Sequence, residues 1–157
     1  MSESSASHTT FVIERLFPAT PRRVFRAWSD PEIKRRWFAC HDDMINTGYE
    51  IDFRPGGREM NRVETPSGGV HLFQSHILDI VPDARIIYAY EMSLNGKRLS
   101  ASLATVEFAP APEGARMVFT EQVVFLDGYI DREDRIRGTE MGLDRLALEL
   151  RDDLPRQ

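Results

Sequence analysis

Three residues in the middle of the chain have side chains suited to acid–base work: His76, Tyr90 and Glu121. A histidine titrates near neutral pH, and desolvation pushes a buried glutamate up toward that range. If their strands share one cavity, the three could serve a cyclase or hydrolase. A structural hydrogen-bonded trio is the better reading, so no residue is assigned a catalytic role. The "CHDD" run (40–43) has metal-ligand residue types, but adjacent side chains diverge and no second pair stands at ligand spacing. It reads as a loop capping a helix, with no metal. Cys40 with His41, His71 or His76 lacks an orienting third group and an oxyanion hole. "DFRPGGREMN" (52–61) invites a phosphate-loop reading. Such a loop runs into a helix N-terminus, whereas "REMNRVET" continues as a strand. Gly56-Gly57 therefore reads as a tight hairpin supplying positive φ angles, with Pro55 fixing the entry. Asp52 and Arg54 share one strand face and are expected to pair with Arg58 or Glu59. GxSxG, Walker and dinucleotide fingerprints are absent, so no cofactor is expected.

The elements that must position these groups follow from pattern. Residues 1–10 are polar and read as a disordered tail, followed by a single domain over 11–153. "FVIERLF" (11–17) is a β-branched and aromatic strand ending at Pro18. Thr20 caps a helix with Pro21 at its first position, and Asp30 with Pro31 repeats that arrangement for a second short helix. Ile33, Trp37 and Phe38 form the apolar side of the second. Strands are expected at 48–54, 58–65, 70–81, 85–93, 100–109 and 115–126, separated by turn residues that include Asn95-Gly96. A helix over 131–153 carries Ile136, Thr139, Leu143, Leu146, Leu150 and Leu154 at three- and four-residue spacing. The expected fold is α+β: a curved antiparallel sheet of six or seven strands wrapped around a long C-terminal helix, with two short helices after the first strand.

Alternation along the strands assigns faces. Pointing Glu91 and Glu107 to water turns Ile86, Tyr88, Tyr90 and Met92 inward, with Ser100, Ser102, Ala104, Val106 and Phe108. Pointing Asp79 outward places Gln74, His76, Leu78 and Ile80 inside. In the last strand Met117, Phe119, Glu121, Val123 and Phe125 face in. With Trp37 and Met141 from the helices, the candidate cavity wall is Trp37, Gln74, His76, Tyr88, Tyr90, Met92, Ser100, Ser102, Glu121, Val123, Phe125 and Met141. Apolar bulk with a few placed polar groups is the texture of a ligand pocket. Gly138 and Gly142, one turn apart, cost the helix about 1 kcal/mol each. They either leave room for a ligand or allow close contact with the sheet.

Composition narrows the partners. The chain has 157 residues, 41% apolar and 29% charged, with formal charge -5 and pI near 5.4. That balance argues against nucleic acid or an anionic membrane, which need a basic face. Arg23, Arg26, Lys34, Arg35 and Arg36 cluster in sequence and read as a solvated helical face. One cysteine excludes an internal disulfide framework. The N-terminus lacks the apolar core of a signal peptide, and no stretch approaches the roughly 18 apolar residues of a membrane span. A cytoplasmic protein is expected.

"ERLFPATPRRVFRAWSDPEIKRRWF", "DFRPGGRE", "VPDARIIYAYEM", "TEQVVFLDG" and "RIRGTEMGLDRLALEL" together carry a family resemblance. The chain resembles the activator of heat-shock protein 90 ATPase homologue family, within the START-like SRPBCC (helix-grip) superfamily. The resemblance implies that fold over nearly all of 11–153. It also implies either a cavity for lipids or other hydrophobic molecules, or a chaperone-associated, stress-response role in protein interaction. At 157 residues the chain is expected to lack the second module of the eukaryotic co-chaperones. A hydrophobic small molecule is the expected partner, with a chaperone as the alternative. Homodimerisation is compatible with either.

Overall fold

The computed structural model describes residues 4–39 and 43–152. The order is β1 (Ala6–Phe17), α1 (Pro21–Ser29), α2 (Pro31–Phe38), β2 (Ile45–Ile51), β3 (Arg58–Glu64), β4 (Val70–Val81), β5 (Arg85–Leu94), β6 (Lys97–Ala111), β7 (Gly114–Leu126) and α3 (Arg132–Asp152). Thr20 Oγ1 accepts from the Arg23 N–H at 3.2 Å and starts α1. Asp30 ends α1 and caps α2, accepting from Glu32 N–H at 2.9 Å and Ile33 N–H at 3.3 Å. Two short helices thus turn sharply about one aspartate, each with proline in its first turn.

β1 starts earlier than its apolar run suggests. Residues Ala6–Thr10, expected in a disordered tail, pair with Leu126–Gln122 of β7. The long β7 offers an unpaired edge there, and backbone hydrogen bonding outweighs the polar composition. Leu154, Cys40 and His41 lie outside the described residues.

All strands join one antiparallel sheet in the order β1-β7-β6-β5-β4-β3-β2. The expected curved sheet wrapped around the long helix does not form. The sheet is open, with β1 and β2 as separate edges, and α3 packs on one face beside α1 and α2. The helix explains why. Leu143, Leu146 and Leu150 are buried along one stripe, while Met141 and Leu148 are about half exposed, so α3 needs cover on one side only. The core lies between this helical layer and the inner sheet face, around Phe17, Val24, Ile86, Val106, Met117 and Phe125.

The inward faces of β5, β6 and β7 match the alternation expected for them. β4 does not follow it. Phe73, Ser75 and Ile77 are buried, whereas Gln74, His76 and Leu78 are exposed. The cause is a register shift between Ile77 and Asp79 against β5. The extra residue, Leu78, lets both Ile77 and Ile80 face inward, so counting back from Asp79 by twos inverts everything before the bulge.

Candidate functional site

A cavity of about 270 Å³ lies between the inner sheet face and the helices. Its walls are mainly aromatic: Trp28, Trp37 and Phe38 from α1 and α2, Phe73 from β4, and Tyr88 and Tyr90 from β5. Met92, Phe119, Asn61 and Glu121 continue the sheet side. α3 lines the opposite side from Asp134 to Arg145 through Arg135, Gly138, Thr139, Gly142 and Leu143. The rings interlock, with Trp28 and Trp37 edge to face at 4.9 Å and Phe73 and Tyr90 at 4.7 Å. A Cβ built on Gly138 meets nothing within 4 Å, and one on Gly142 meets only the Arg145 side chain at 3.8 Å. Close helix–sheet contact is therefore not what these glycines serve. They leave space beside the cavity.

One polar cluster closes the β6–β7 side. Glu121, 1% exposed, accepts from Tyr90 OH at 2.6 Å, Ser102 Oγ at 2.7 Å and Arg135 Nη1 at 3.0 Å, all on Oε2. Arg135 Nη2 also donates to Ser100 Oγ at 2.6 Å. The guanidinium lies over the Tyr90 and Phe125 rings. A buried carboxylate demands such a partner. Burial, then the Glu121 charge, pushes the Tyr90 hydroxyl far above its ordinary value, so it stays protonated and donates.

A second charged cluster joins α2 to β3. Lys34 donates to Glu59 Oε2 at 2.9 Å, and Tyr49 OH donates to the same oxygen at 2.7 Å. Lys34 Nζ sits among the Phe38, Trp28 and Trp37 rings at 4.3, 5.0 and 5.6 Å. Lys34 is therefore buried, not part of a solvated basic face as its sequence neighbours suggest; Arg26, Arg35 and Arg36 are exposed. Burial and Glu59 raise the Tyr49 hydroxyl well above its ordinary range.

The candidate wall residues divide. Trp37, Tyr88, Tyr90, Met92 and Glu121 line the cavity. Ser100 and Ser102 are buried behind it, holding Arg135. Val123 and Phe125 belong to the packed core. Met141 is 52% exposed on the outer side of α3 and lies away from the cavity lining. Gln74 and His76 border a more polar groove on the other sheet face, with Glu50, Asp52, Arg58 and Met60. His76 is thus separated from Glu121 and Tyr90 by the sheet, and the acid–base trio does not assemble. Arg135, Lys34 and Glu59 were not anticipated. The signal for Arg135 was an inward carboxylate, Glu121, opposite a helix with an arginine four residues before the inward Thr139.

"DFRPGGREMN" is a turn, as expected, though the two glycines differ. Gly56 has φ 84°, while Gly57 is held by closeness: a Cβ there would fall 1.9 Å from the Asp52 carbonyl oxygen. Asp52 and Arg54 lie past the end of β2, and Arg54 Nε pairs with Asp52 at 2.7 Å within the turn, not across to Arg58 or Glu59.

The family model described as activator of Hsp90 ATPase homolog 1-like protein matches residues 18–151. The chain belongs to this family. An uncharacterised protein from Rhizobium leguminosarum is 56% identical, with a TM-score of 0.94 over 97% of this chain and 100% of that one. A protein from Rhizobium loti is 40% identical, with a TM-score of 0.86 over 92% and 99%. An AHSA1-like protein from Aeromonas hydrophila, at 19% identity and a TM-score of 0.69 over 95% and 99%, shares the family fold. No curated protein matches the chain. Among the described residues no helix is long and apolar enough to cross a membrane.

Proposed function

We propose that this family member is a binding protein that holds a hydrophobic or amphipathic small molecule, a class that includes lipids, between the sheet and α3. The observation that carries the reading is the cavity of about 270 Å³ left open between aromatic walls. A single water needs only about 10–15 Å³ measured this way. Arg135 on its wall is paired with Glu121, and Lys34 beside it with Glu59, which suits a binding site better than an acid–base centre. The same reading takes the protein as cytoplasmic, supported by a fold with one cysteine and no need of disulfides.

Trp28 and Trp37 are the two tryptophans of the chain and both line the cavity, so intrinsic fluorescence reports on it directly. Native mass spectrometry should show a small-molecule adduct lost on denaturation, and a panel of hydrophobic compounds should shift the tryptophan emission. A bare protein mass together with unchanged emission across the panel would sink the proposal.

A second reading is a chaperone-associated or regulatory interaction module with a stress-response role. The family match supports it more directly than it supports a ligand, through its description as an activator of a heat-shock ATPase homologue. Trp37 is buried and Phe38 partly buried, so these two residues offer a partner little apolar surface on α2. Its test is the rate of ATP hydrolysis by a purified heat-shock ATPase with and without this protein. An unchanged rate and no complex would end it.

A further inference from the structure

Two hydrogen-bond donors on the cavity wall lack partners among the described residues. Tyr88, on β5, is 6% exposed and its ring lines the cavity. Among the described residues its hydroxyl makes no hydrogen bond, unlike those of Tyr49, Tyr90 and Tyr129. The Trp28 indole N–H, on another ring of the same wall, is buried with no acceptor among the described residues. Buried polar groups are normally satisfied, so two unmatched donors on one cavity are informative. Two of the cations near the cavity are in the opposite state, whereas Arg145, also on its wall, donates to the Trp37 carbonyl and pairs with no carboxylate among the described residues. Lys34 is spent on Glu59, and Arg135 on Glu121, Ser100, Ser102 and Tyr90.

Resting on the small-ligand reading above, we propose that the ligand is mainly apolar, carries an acceptor oxygen or nitrogen bonded by the Tyr88 hydroxyl, and lies along α3 over Gly138. An acceptor on an otherwise apolar molecule disturbs neither buried pair and gives the Tyr88 hydroxyl a partner. Burial first, then Tyr90, Glu121 and Glu59, raises the Tyr88 hydroxyl well above its ordinary value, so it remains a donor. Gly138 provides the space, since a side chain there would extend into unoccupied volume beside the wall.

Two probes of similar size separate these features in calorimetric titrations of the full chain: 2-acetylnaphthalene and 2-ethylnaphthalene. The acetyl compound should bind about tenfold more tightly than the ethyl compound, the scale of one hydrogen bond to a buried donor. Tyr88→Phe should reduce acetylnaphthalene to the affinity of ethylnaphthalene and leave the latter unchanged. Gly138→Leu should weaken both. If the ketone binds no more tightly than 2-ethylnaphthalene, or Tyr88→Phe leaves its advantage intact, the proposal is overturned while the cavity reading stands. If no probe binds and the tryptophan panel is also silent, both fall together. A second measurement does not depend on the Tyr88 variant folding. In carbon-labelled tyrosine spectra of the wild-type protein, the ketone should shift the Tyr88 ring carbon bearing the hydroxyl more than ethylnaphthalene does. Equal shifts would overturn the assignment.

Discussion

Lys34 of α2 and Glu59 of β3 form an ion pair 2.9 Å long inside the protein, with side chains only 4% and 3% exposed. Together with the three rings around Nζ, the pair holds the helical layer against the β3 side of the sheet. Removing one partner strands a buried charge. Lys34→Met should therefore cost about 3–5 kcal/mol in guanidinium unfolding at neutral pH. Lys34→Met combined with Glu59→Gln should recover most of that loss. A single variant within about 1 kcal/mol of wild type would contradict a buried, coupled pair.

Arg135→Met should destabilise less than Lys34→Met. Glu121 keeps two hydroxyl donors, Tyr90 and Ser102, when Arg135 is removed, whereas Glu59 keeps only that of Tyr49 among the described residues. Hydrogen bonds to a charged group are worth about 1.5–3 kcal/mol each, so one additional donor should set the order. The reverse order in parallel denaturation curves would show that donor count does not govern these sites.

The two glycines of the 52–61 turn should respond differently to alanine. Gly56→Ala places a side chain in open space at φ 84° and should cost about 1–2 kcal/mol. Gly57→Ala drives a Cβ to 1.9 Å from the Asp52 carbonyl and 2.9 Å from the Arg54 carbonyl, both backbone atoms. It should lose about 4 kcal/mol or fail to fold. Gly57 N–H and C=O also tie this turn to Arg54 and to β4 at Ile77. Equal melting temperatures for the two variants would refute the distinction.

Ultraviolet titration of the four tyrosines should be delayed in the folded protein. Burial and the Asp131 contact push Tyr129 up to about 12, and burial with nearby carboxylates also raises Tyr49, Tyr88 and Tyr90 well above their ordinary value. In the unfolded chain all four should titrate near about 10. Below that pH both states hold these protons and stability is unaffected. From about 10 upward the unfolded state releases protons that the folded state keeps, so stability falls as pH rises. Tyrosinate absorbance should then appear with loss of structure, apart from Tyr129. Two or more tyrosines ionising near pH 10 in a folded sample would contradict the burial.

Much of the frame was legible in the residues. Thr20-Pro21 and Asp30-Pro31 marked both short helices, and Asn95-Gly96 marked the β5–β6 hairpin. Glu91 and Glu107 oriented β5 and β6 correctly, because their pairing has no register shift from Ile86↔Val106 to Met92↔Ser100. β4 failed for one physical reason. A bulge at Leu78 leaves no compositional mark, yet it reverses the parity that every preceding assignment relies on. His76 left the candidate site on that account. The polar sequence of Ala6–Thr10 concealed a strand whose cause was the neighbouring β7 edge.

By itself the sequence determined the kinds and order of the elements, the turn at Gly56-Gly57 and the inward Tyr88, Tyr90 and Glu121, since these follow from local propensity and alternation. Only the tertiary structure decided that the sheet stays open beneath α3, that Lys34 turns inward, and that Arg135 meets Glu121. Those outcomes depend on which distant groups come within a few ångströms when the layers pack. A buried charge chooses its partner across space, and spacing along the chain carries no record of that choice.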